Sequence, residues 1–326
     1  MNQSPLAEVI RDKRINSILE AIRQAVRSQQ PFTLGPKDID YIRRRFSEGI
    51  ALGERMLNEF ARNLLEILVP GRAVDVTFIV WGRCPQAEHD EIVRSEVDFL
   101  PRLDELKTST DSERAFQYRP RCRKCGSFTT VSASFLRYTP KPSSDNVVVF
   151  LQTRIKSTSN LSYKVADLAF DIDYMFRRDK IHNEFSQVIT DMYGIKIVLT
   201  RDDLIKPTAE RITTLPGTTV VEINDYTGAR RKKSGFEAYK LVTKRDQHLF
   251  EIQLQSKKMY DNENNSLSAS HHTYRERQMA ERRQLGKEYI DVYKALTKIL
   301  TQPKDNFCDI TYIELGYGGK GSDDEF

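Results

Sequence analysis

The sequence predicts an α+β fold, a mixed sheet flanked by helices and preceded by a mainly helical N-terminal region. Three observations predict it. Apolar residues recur at helical spacing through the first third of the chain. Strand-sized apolar runs interleave with helical stretches after about residue 146. A Pro- and Ser-rich segment, Pro140-Lys141-Pro142-Ser143-Ser144, separates the two patterns as a linker would.

An opening helix is expected from Leu6, Val9, Ile10, Ile15, Ile18 and Ile22, with a break near Gln30-Pro31-Phe32. Gly35-Pro36-Lys37-Asp38 then opens a long amphipathic helix carrying Ile39, Ile42, Phe46, Phe60, Leu64 and Leu68, which Pro70-Gly71 ends. Val74 to Trp81 reads as a strand closed by Gly82, followed by a stretch of charged, helix-like pieces and a Cys-x-x-Cys knuckle. Beyond the linker, strands are expected at Asn146 to Arg154, Gly194 to Leu199, Thr218 to Ile223, Ala238 to Thr243 and His248 to Leu254. Helices are expected at Leu161 to Phe176 and Ser266 to Leu300. The expected division is an N-terminal region over 1–145, a sheet domain over 146–302, and a C-terminal strand with a flexible acidic tail over 303–326.

With 326 residues, 39% of them hydrophobic and 10% aromatic, the chain can bury a sizeable core and does not have a disordered composition. Charged residues make up 30%, yet the net charge is only +5. That balance suits polyanionic ligands such as nucleotides or RNA and is too mild to argue nucleic-acid binding by itself. The longest apolar run, Val147 to Leu151, is far short of the roughly 20 residues a membrane helix needs, so no membrane partner is expected. The first residues carry charges every few positions and no signal-peptide core. Four cysteines in a chain this long make no disulfide framework, which leads to an expected reducing, cytoplasmic location.

The residues that could carry chemistry fall into islands. Arg154-Ile-Lys156-Ser157 delivers two cations from a strand end, and Lys164 follows one or two helical turns later. With the free N–H groups of a helix start, such a set suits a polyphosphate; a solvated basic strand end is the plainer reading. Asp191 precedes a turn glycine, Gly194, and an apolar strand. Glu251 and Gln253 share one face of their strand by period-two alternation, and Phe250, Ile252 and Leu254 take the other. Two carboxylates on neighbouring strands could hold Mg²⁺; singly, Asp191 could be a turn residue and Glu251 a solvent-facing one. The basic loop from Asp225 through Arg230-Arg231-Lys232-Lys233 to Gly235-Phe236 could clamp phosphates while Phe236 stacks on a base, worth about 1–3 kcal/mol. A solvated hairpin tip with Phe236 in the core is the alternative.

Taken in order, these islands resemble the synthetase domain of the RelA/SpoT family. The family pattern R-x-K-x-x-x-S/N-I/L-x-x-K is met by Arg154, Lys156, Asn160, Leu161 and Lys164. Asp191-Met-Tyr-Gly194-Ile195-Lys196-Ile197 is similar to its D-x-x-G-I-R-I element, and Glu251-Ile-Gln253-Leu-Gln255-Ser-Lys-Lys-Met259 to its E-I-Q-I-R-T-x-x-M. The acceptor loop is echoed by Asp225-Tyr226 and Lys233-Ser-Gly235-Phe236, and A-x-H-x-x-Y by Ala269-Ser-His271-His-Thr-Tyr274.

The resemblance implies a polymerase-β-like nucleotidyltransferase sheet flanked by helices and transfer of pyrophosphate from ATP to a nucleotide 3′-hydroxyl. It implies that Arg154, Lys156, Ser157 and Lys164 grip ATP, that Asp191 and Glu251 ligand Mg²⁺, and that Glu251 can serve as general base. Lys233, Phe236, Lys240, Gln253 and His271 fall at acceptor positions, with a structural role for His271 equally open. The departures cluster on the acceptor side: Phe236 replaces the family tyrosine, Lys240 the loop histidine, and Gln255 the arginine after E-I-Q-I. The acceptor therefore stays open between a guanine nucleotide, an adenosine nucleotide and the CCA end of tRNA, and a binding module that kept the fold without turnover is the reading from another class.

Before this region, Cys122-x-x-Cys125-Gly126 is half of a zinc site by spacing, and Cys84 and His89 could supply the other half as a structural Zn²⁺ site. Ordinary reduced thiols are the alternative. His89-Asp90 offers an HD dipeptide without the further ligands that an HD hydrolase needs. The two N-terminal amphipathic helices are expected to serve regulation or homo-oligomer formation.

Overall fold

A computed structural model of the chain describes residues 12–28, 32–84, 86, 92–98, 114–115, 117–155, 193–232, 235–246, 248–265 and 313–315. Its residues divide into two compact units: one of 1–5, 50–157 and 185–275, the other of 6–49, 158–184 and 276–326.

Within the second unit, helix α1 (Lys13–Ser28) and the first part of helix α2 (Pro36–Leu68) bury Ile15, Ile18, Ile39, Ile42 and Phe46, at the helical spacing expected from sequence. Asp12 gathers their polar ends: its carboxylate accepts from the Tyr41 hydroxyl at 2.6 Å and from Arg45 at 3.3 Å. Partial burial works against the charge, but these bonds and those from the Ile15 and Arg14 backbone N–H groups hold the Asp12 carboxyl below its ordinary range. Strand β1 (Phe32–Leu34) pairs antiparallel with β10 (Ile313–Leu315).

The first unit is built on an eight-stranded sheet of strands β2 (Val74–Arg83), β3 (Ile92–Asp98), β4 (Thr130–Pro140), β5 (Val148–Ile155), β6 (Tyr193–Leu199), β7 (Thr218–Asp225), β8 (Tyr239–Arg245) and β9 (His248–Ser256). Their spatial order is β3-β2-β4-β5-β6-β9-β8-β7. Neighbours are antiparallel except β6 and β9, which run parallel, so the sheet is mixed as the sequence predicts. Helices α3 (Ile205–Thr213) and α4 (Lys257–Asn265) flank it.

One face of the sheet is apolar because alternate residues supply it: Ile195, Ile197, Phe250, Ile252 and Leu254 are at most 1% exposed. The later part of α2 covers this face with Leu57, Phe60, Ala61 and Leu64. The Phe60 and Phe250 rings meet edge to face at 5.2 Å. Gly53 is required here, since a Cβ on it would lie 2.0 Å from the Tyr193 ring. Burial, with the negative charge of Glu54, pushes the Tyr193 hydroxyl well above its ordinary range. Glu54 is itself paired with Arg114, both side chains 4% exposed.

The sequence expects a mainly helical region before residue 146 with one strand at Val74 to Trp81; the structure has that strand as β2 and adds β3 and β4 beside it, in the same sheet as the later strands. The expected boundary at 145/146 accordingly falls inside that sheet, where β4 pairs with β5. Pro140 to Asn146 is a turn between adjacent strands rather than a linker. The Lys141 N–H donates to the Ala73 carbonyl at 3.0 Å, and the Arg72 guanidinium holds both Asp145 and Asn146. The expected helices at 161–176 and 266–300 and the acidic tail lie outside the described residues.

Candidate active site on the polar face of the sheet

The face opposite α2 is polar by the same alternation. On β9 it presents Glu251 and Gln253. Pairing sets Gly194 of β6 beside Glu251, and Arg154 of β5 beside Gly194, so these three residues form one row across three strands. The next row carries Gln152, Lys196, Gln253 and Lys240. Gly194 has no side chain to fill its place in the first row. A Cβ there would meet only the Arg154 and Glu251 carbonyls, at 3.8 Å, so the gap is open rather than crowded.

Glu251 is held from two sides. The Lys240 ammonium lies 2.7 Å from Oε2, and the Gln253 amide donates to Oε1 at 2.6 Å. The two charged side chains are 23% and 13% exposed, so this is a largely desolvated pair. A carboxylate offers about four acceptor positions, which leaves room for further donors.

Farther along β9, Gln255 is fully buried and fastens the loop exit to α4: its amide donates to the Glu237 carbonyl at 2.7 Å and to the Glu263 carboxylate at 2.8 Å. Lys196 reaches the same Glu263 at 2.9 Å. Gln255, which stands at the family arginine position, is thus a packing tie rather than an exposed cation.

The basic loop after β7 is folded on itself. The Asp225 carboxylate accepts from the Thr227 hydroxyl at 2.5 Å, from the Thr227 N–H at 3.0 Å and from Arg230 at 3.2 Å. The Thr227 hydroxyl bond comes first among the causes that hold the Asp225 carboxyl below its ordinary range, against a smaller opposing effect of burial. Gly235, at φ +84°, makes the left-handed turn that returns the chain, its N–H donating to the Lys232 carbonyl at 2.8 Å. Phe236 follows, half-buried, 6.5 Å from Tyr226 ring to ring, with the Lys232 ammonium 4.5 Å over Tyr226 and 5.6 Å over Phe236. It is neither a core residue nor fully solvated.

Of the residues singled out from sequence, the structure therefore brings Arg154, Lys240, Glu251 and Gln253 to one face and sets Phe236 in the loop that leads into Lys240. Lys156, Ser157, Lys164, Asp191, Lys233, His271 and His89 lie outside the described residues. Lys196, Gln152 and Lys232 were not singled out as site residues; counting alternate positions on β5 and β6 from Arg154 and Gly194 would have found the first two. Cys84, Cys122 and Cys125 also converge, at the end of β2.

The profile described as the region found in RelA / SpoT proteins matches residues 153–279, the segment that contains this face. These residues are a RelA/SpoT-type domain. Curated proteins yield no match to the chain. Among solved structures, the chain aligns with small alarmone synthetase 1 from Bacillus subtilis bound to its product pppGpp, at 18% identity over 47% of this chain and 72% of that one, with a TM-score of 0.29. A GTP pyrophosphokinase family protein from Streptococcus pneumoniae aligns at 16% identity over 47% and 70%, TM-score 0.29. Small alarmone synthetase 2 from Bacillus subtilis does so at 14% over 47% and 74%, TM-score 0.26. The matched segment begins within β5, and β2, β3 and β4 belong to the same sheet from outside that segment. Among the described residues no helix is long and apolar enough to cross a membrane.

Proposed function

We propose that this chain is an ATP-dependent pyrophosphotransferase that moves the β,γ-pyrophosphate of ATP to the 3′-hydroxyl of a guanine nucleotide, giving a (p)ppGpp-type product. The row Arg154–Gly194–Glu251, lying within the RelA/SpoT-type segment, carries the reading: a cation, an open notch and an oriented carboxylate side by side on one sheet face.

In this reaction the acceptor 3′-oxygen bonds to the β-phosphorus of ATP. The bond from that phosphorus to the oxygen bridging the α and β positions breaks, AMP leaves, and the hydroxyl proton passes to a base. Glu251 is that base, with Lys240 and Gln253 fixing its two oxygens in place. Arg154 binds ATP phosphate oxygens by charge-assisted hydrogen bonds, a role the sequence extends to Lys156, Ser157 and Lys164. Phe236 offers a ring face to the acceptor base, and Lys233 and His271 take acceptor contacts.

The Glu251 carboxylate and the Gln253 side-chain carbonyl, beside a position free of Cβ, are oxygen donors that fit a hard divalent cation; Glu251 with Asp191 would hold Mg²⁺. Bound there, Mg²⁺ neutralises triphosphate charge and polarises the transferred phosphoryl group.

A second reading is favoured by the loop: the side chains of Arg230 and Arg231 are 73% and 66% exposed, which suits a larger polyanion such as a tRNA CCA end. Incubation with γ-labelled ATP, Mg²⁺ and, separately, GDP, GTP, AMP, ADP or deacylated tRNA distinguishes the two. Label on GDP or GTP is the expected result. Label on tRNA or an adenosine nucleotide alone moves the acceptor, and label on none overturns enzymatic function in favour of a binding module.

A further inference from the structure

The three cysteines that the proposed reaction leaves unused come from two distant stretches of chain and meet at one point. Cys84 directly follows β2, and Cys122 and Cys125 belong to the turn that leads into β4. Their sulfurs all lie within 4.8 Å of one another, and those of Cys84 and Cys125 are 3.6 Å apart. That spacing is far beyond the roughly 2.05 Å of a disulfide bond. It is close to the edge of a tetrahedron of sulfurs around zinc, which a Zn–S length of about 2.3 Å puts at about 3.8 Å. We propose that Cys84, Cys122 and Cys125 bind one structural Zn²⁺ that clamps the end of β2 to the turn before β4.

The local backbone is built for that purpose. The Cys122 N–H donates to the Ser127 carbonyl at 2.8 Å, and the Gly126 N–H donates to the Cys122 carbonyl at 2.9 Å. Gly126 sits at φ +71°, a left-handed position that glycine takes without strain. An isolated bridge between Arg121 and Phe128 closes the two arms. The result is a tight knuckle that turns both of its sulfurs to the same side.

A second set of contacts seats the knuckle against β2. The Thr129 N–H and hydroxyl both donate to the Pro120 carbonyl, at 3.0 and 2.8 Å. Gly82 must lack a side chain for this to fit, because a Cβ there would lie 1.8 Å from the Thr129 hydroxyl oxygen and 3.1 Å from Pro120. That close approach carries Cys84, two residues on, to the knuckle. Cys84 and Cys122 are 6% and 2% exposed, which suits a closed structural site rather than a reactive thiol.

On binding, each thiol gives up its proton to solvent and its sulfur bonds to the metal. Arg121, Arg123 and Lys124, within the knuckle itself, offset the negative charge of three thiolates on one dication. Three sulfurs leave the fourth tetrahedral position to water or a further donor.

The test is metal analysis of the full chain purified without chelator. The expected result is about one zinc per chain, lost in Cys84→Ser and in Cys122→Ser and kept in Cys308→Ser. Since the first two variants can lose zinc by unfolding, wild type is also stripped and titrated with Co²⁺. An intense thiolate-to-cobalt charge-transfer band, saturating at about one equivalent, is expected, together with a melting temperature that falls on stripping and returns with Zn²⁺. Protein isolated without zinc that also gives no thiolate band with Co²⁺ overturns the site, as does zinc retained by Cys122→Ser. None of these readouts depends on pyrophosphate transfer.

Discussion

The two halves of the eight-stranded sheet share one buried face but differ on the other. In the half formed by β5, β6, β9, β8 and β7, the outward positions hold a shielded ion pair, Lys240 with Glu251, whose side chains are 23% and 13% exposed. In the half formed by β3, β2 and β4, the comparable pair is Arg94 with Glu96, whose side chains are 42% and 47% exposed. A surface pair of the second kind contributes about 0–1 kcal/mol and is easily replaced. A shielded pair costs desolvation that its own attraction barely returns, so stability alone is a poor reason to build one. The difference teaches that the apolar alternation specifies the sheet, while the outward positions set how far charge is shielded from water: strongly at Lys240 and Glu251, weakly at Arg94 and Glu96.

The sharpest way to break this contrast is Glu251→Gln. The substitution keeps the shape and the strand but removes the negative charge, so label transfer should fall about 10²–10³-fold or more. Zinc content should stay near wild type, because the change touches only one half of the outward face, while the melting temperature should fall moderately because the shielded Lys240 ammonium loses its counter-charge. Retained transfer would remove Glu251 from the chemistry. A folded protein that lost zinc as well would show that the halves are not independent.

Gly53→Ala attacks the face the halves have in common. The added Cβ would sit 2.0 Å from the Tyr193 ring, with the helix on one side and β6 on the other. Overpacking of this kind costs about 1–3 kcal/mol. The denaturant midpoint should fall without a change in slope, and both transfer activity and zinc retention should suffer near the new midpoint. If stability were unchanged, the packing of the later part of α2 on the sheet would be wrong.

What could be read from sequence follows the same division. The amphipathic helix from Pro36 to Leu68 was legible because Gly35-Pro36 starts it, a 3.6-residue apolar period runs through it and Pro70-Gly71 stops it. Strands β5 to β9 were legible as strand-sized runs rich in apolar and β-branched residues, with period-two alternation plain on β9, and their ends came within a few residues of expectation. Strand β3 was not, because an edge strand bearing Arg94, Glu96 and Asp98 on alternate positions looks like a charged helix piece to a composition-based reading. The turn from Pro140 to Asn146 has linker composition, and only the antiparallel pairing of β4 with β5 reveals it as a connection within one sheet. At the site, motif order could mark Glu251 and Gln253. It could not tell that Lys240, standing where the family has histidine, reaches Glu251, since that contact is made diagonally across two strands.

The smallest expected effect is also electrostatic and lies in the basic loop. The folded protein holds the Asp225 carboxyl below its ordinary value of 3.8, through the Thr227 hydroxyl first and then the Thr227 N–H and Arg230. A carboxyl whose folded value is depressed stabilises the fold fully above its unfolded value, and the contribution fades as pH falls through the folded one. Asp225→Asn keeps an oxygen for Thr227 but forfeits the charge, so at pH 7 it should cost about 0.5–1 kcal/mol. Denaturant melts of both proteins from pH 7 down to about pH 3 should converge, because the wild type progressively loses what the variant never had. A gap that stayed constant over that range would mean that Asp225 acts through shape alone, leaving the loop charges to the acceptor and not to the fold.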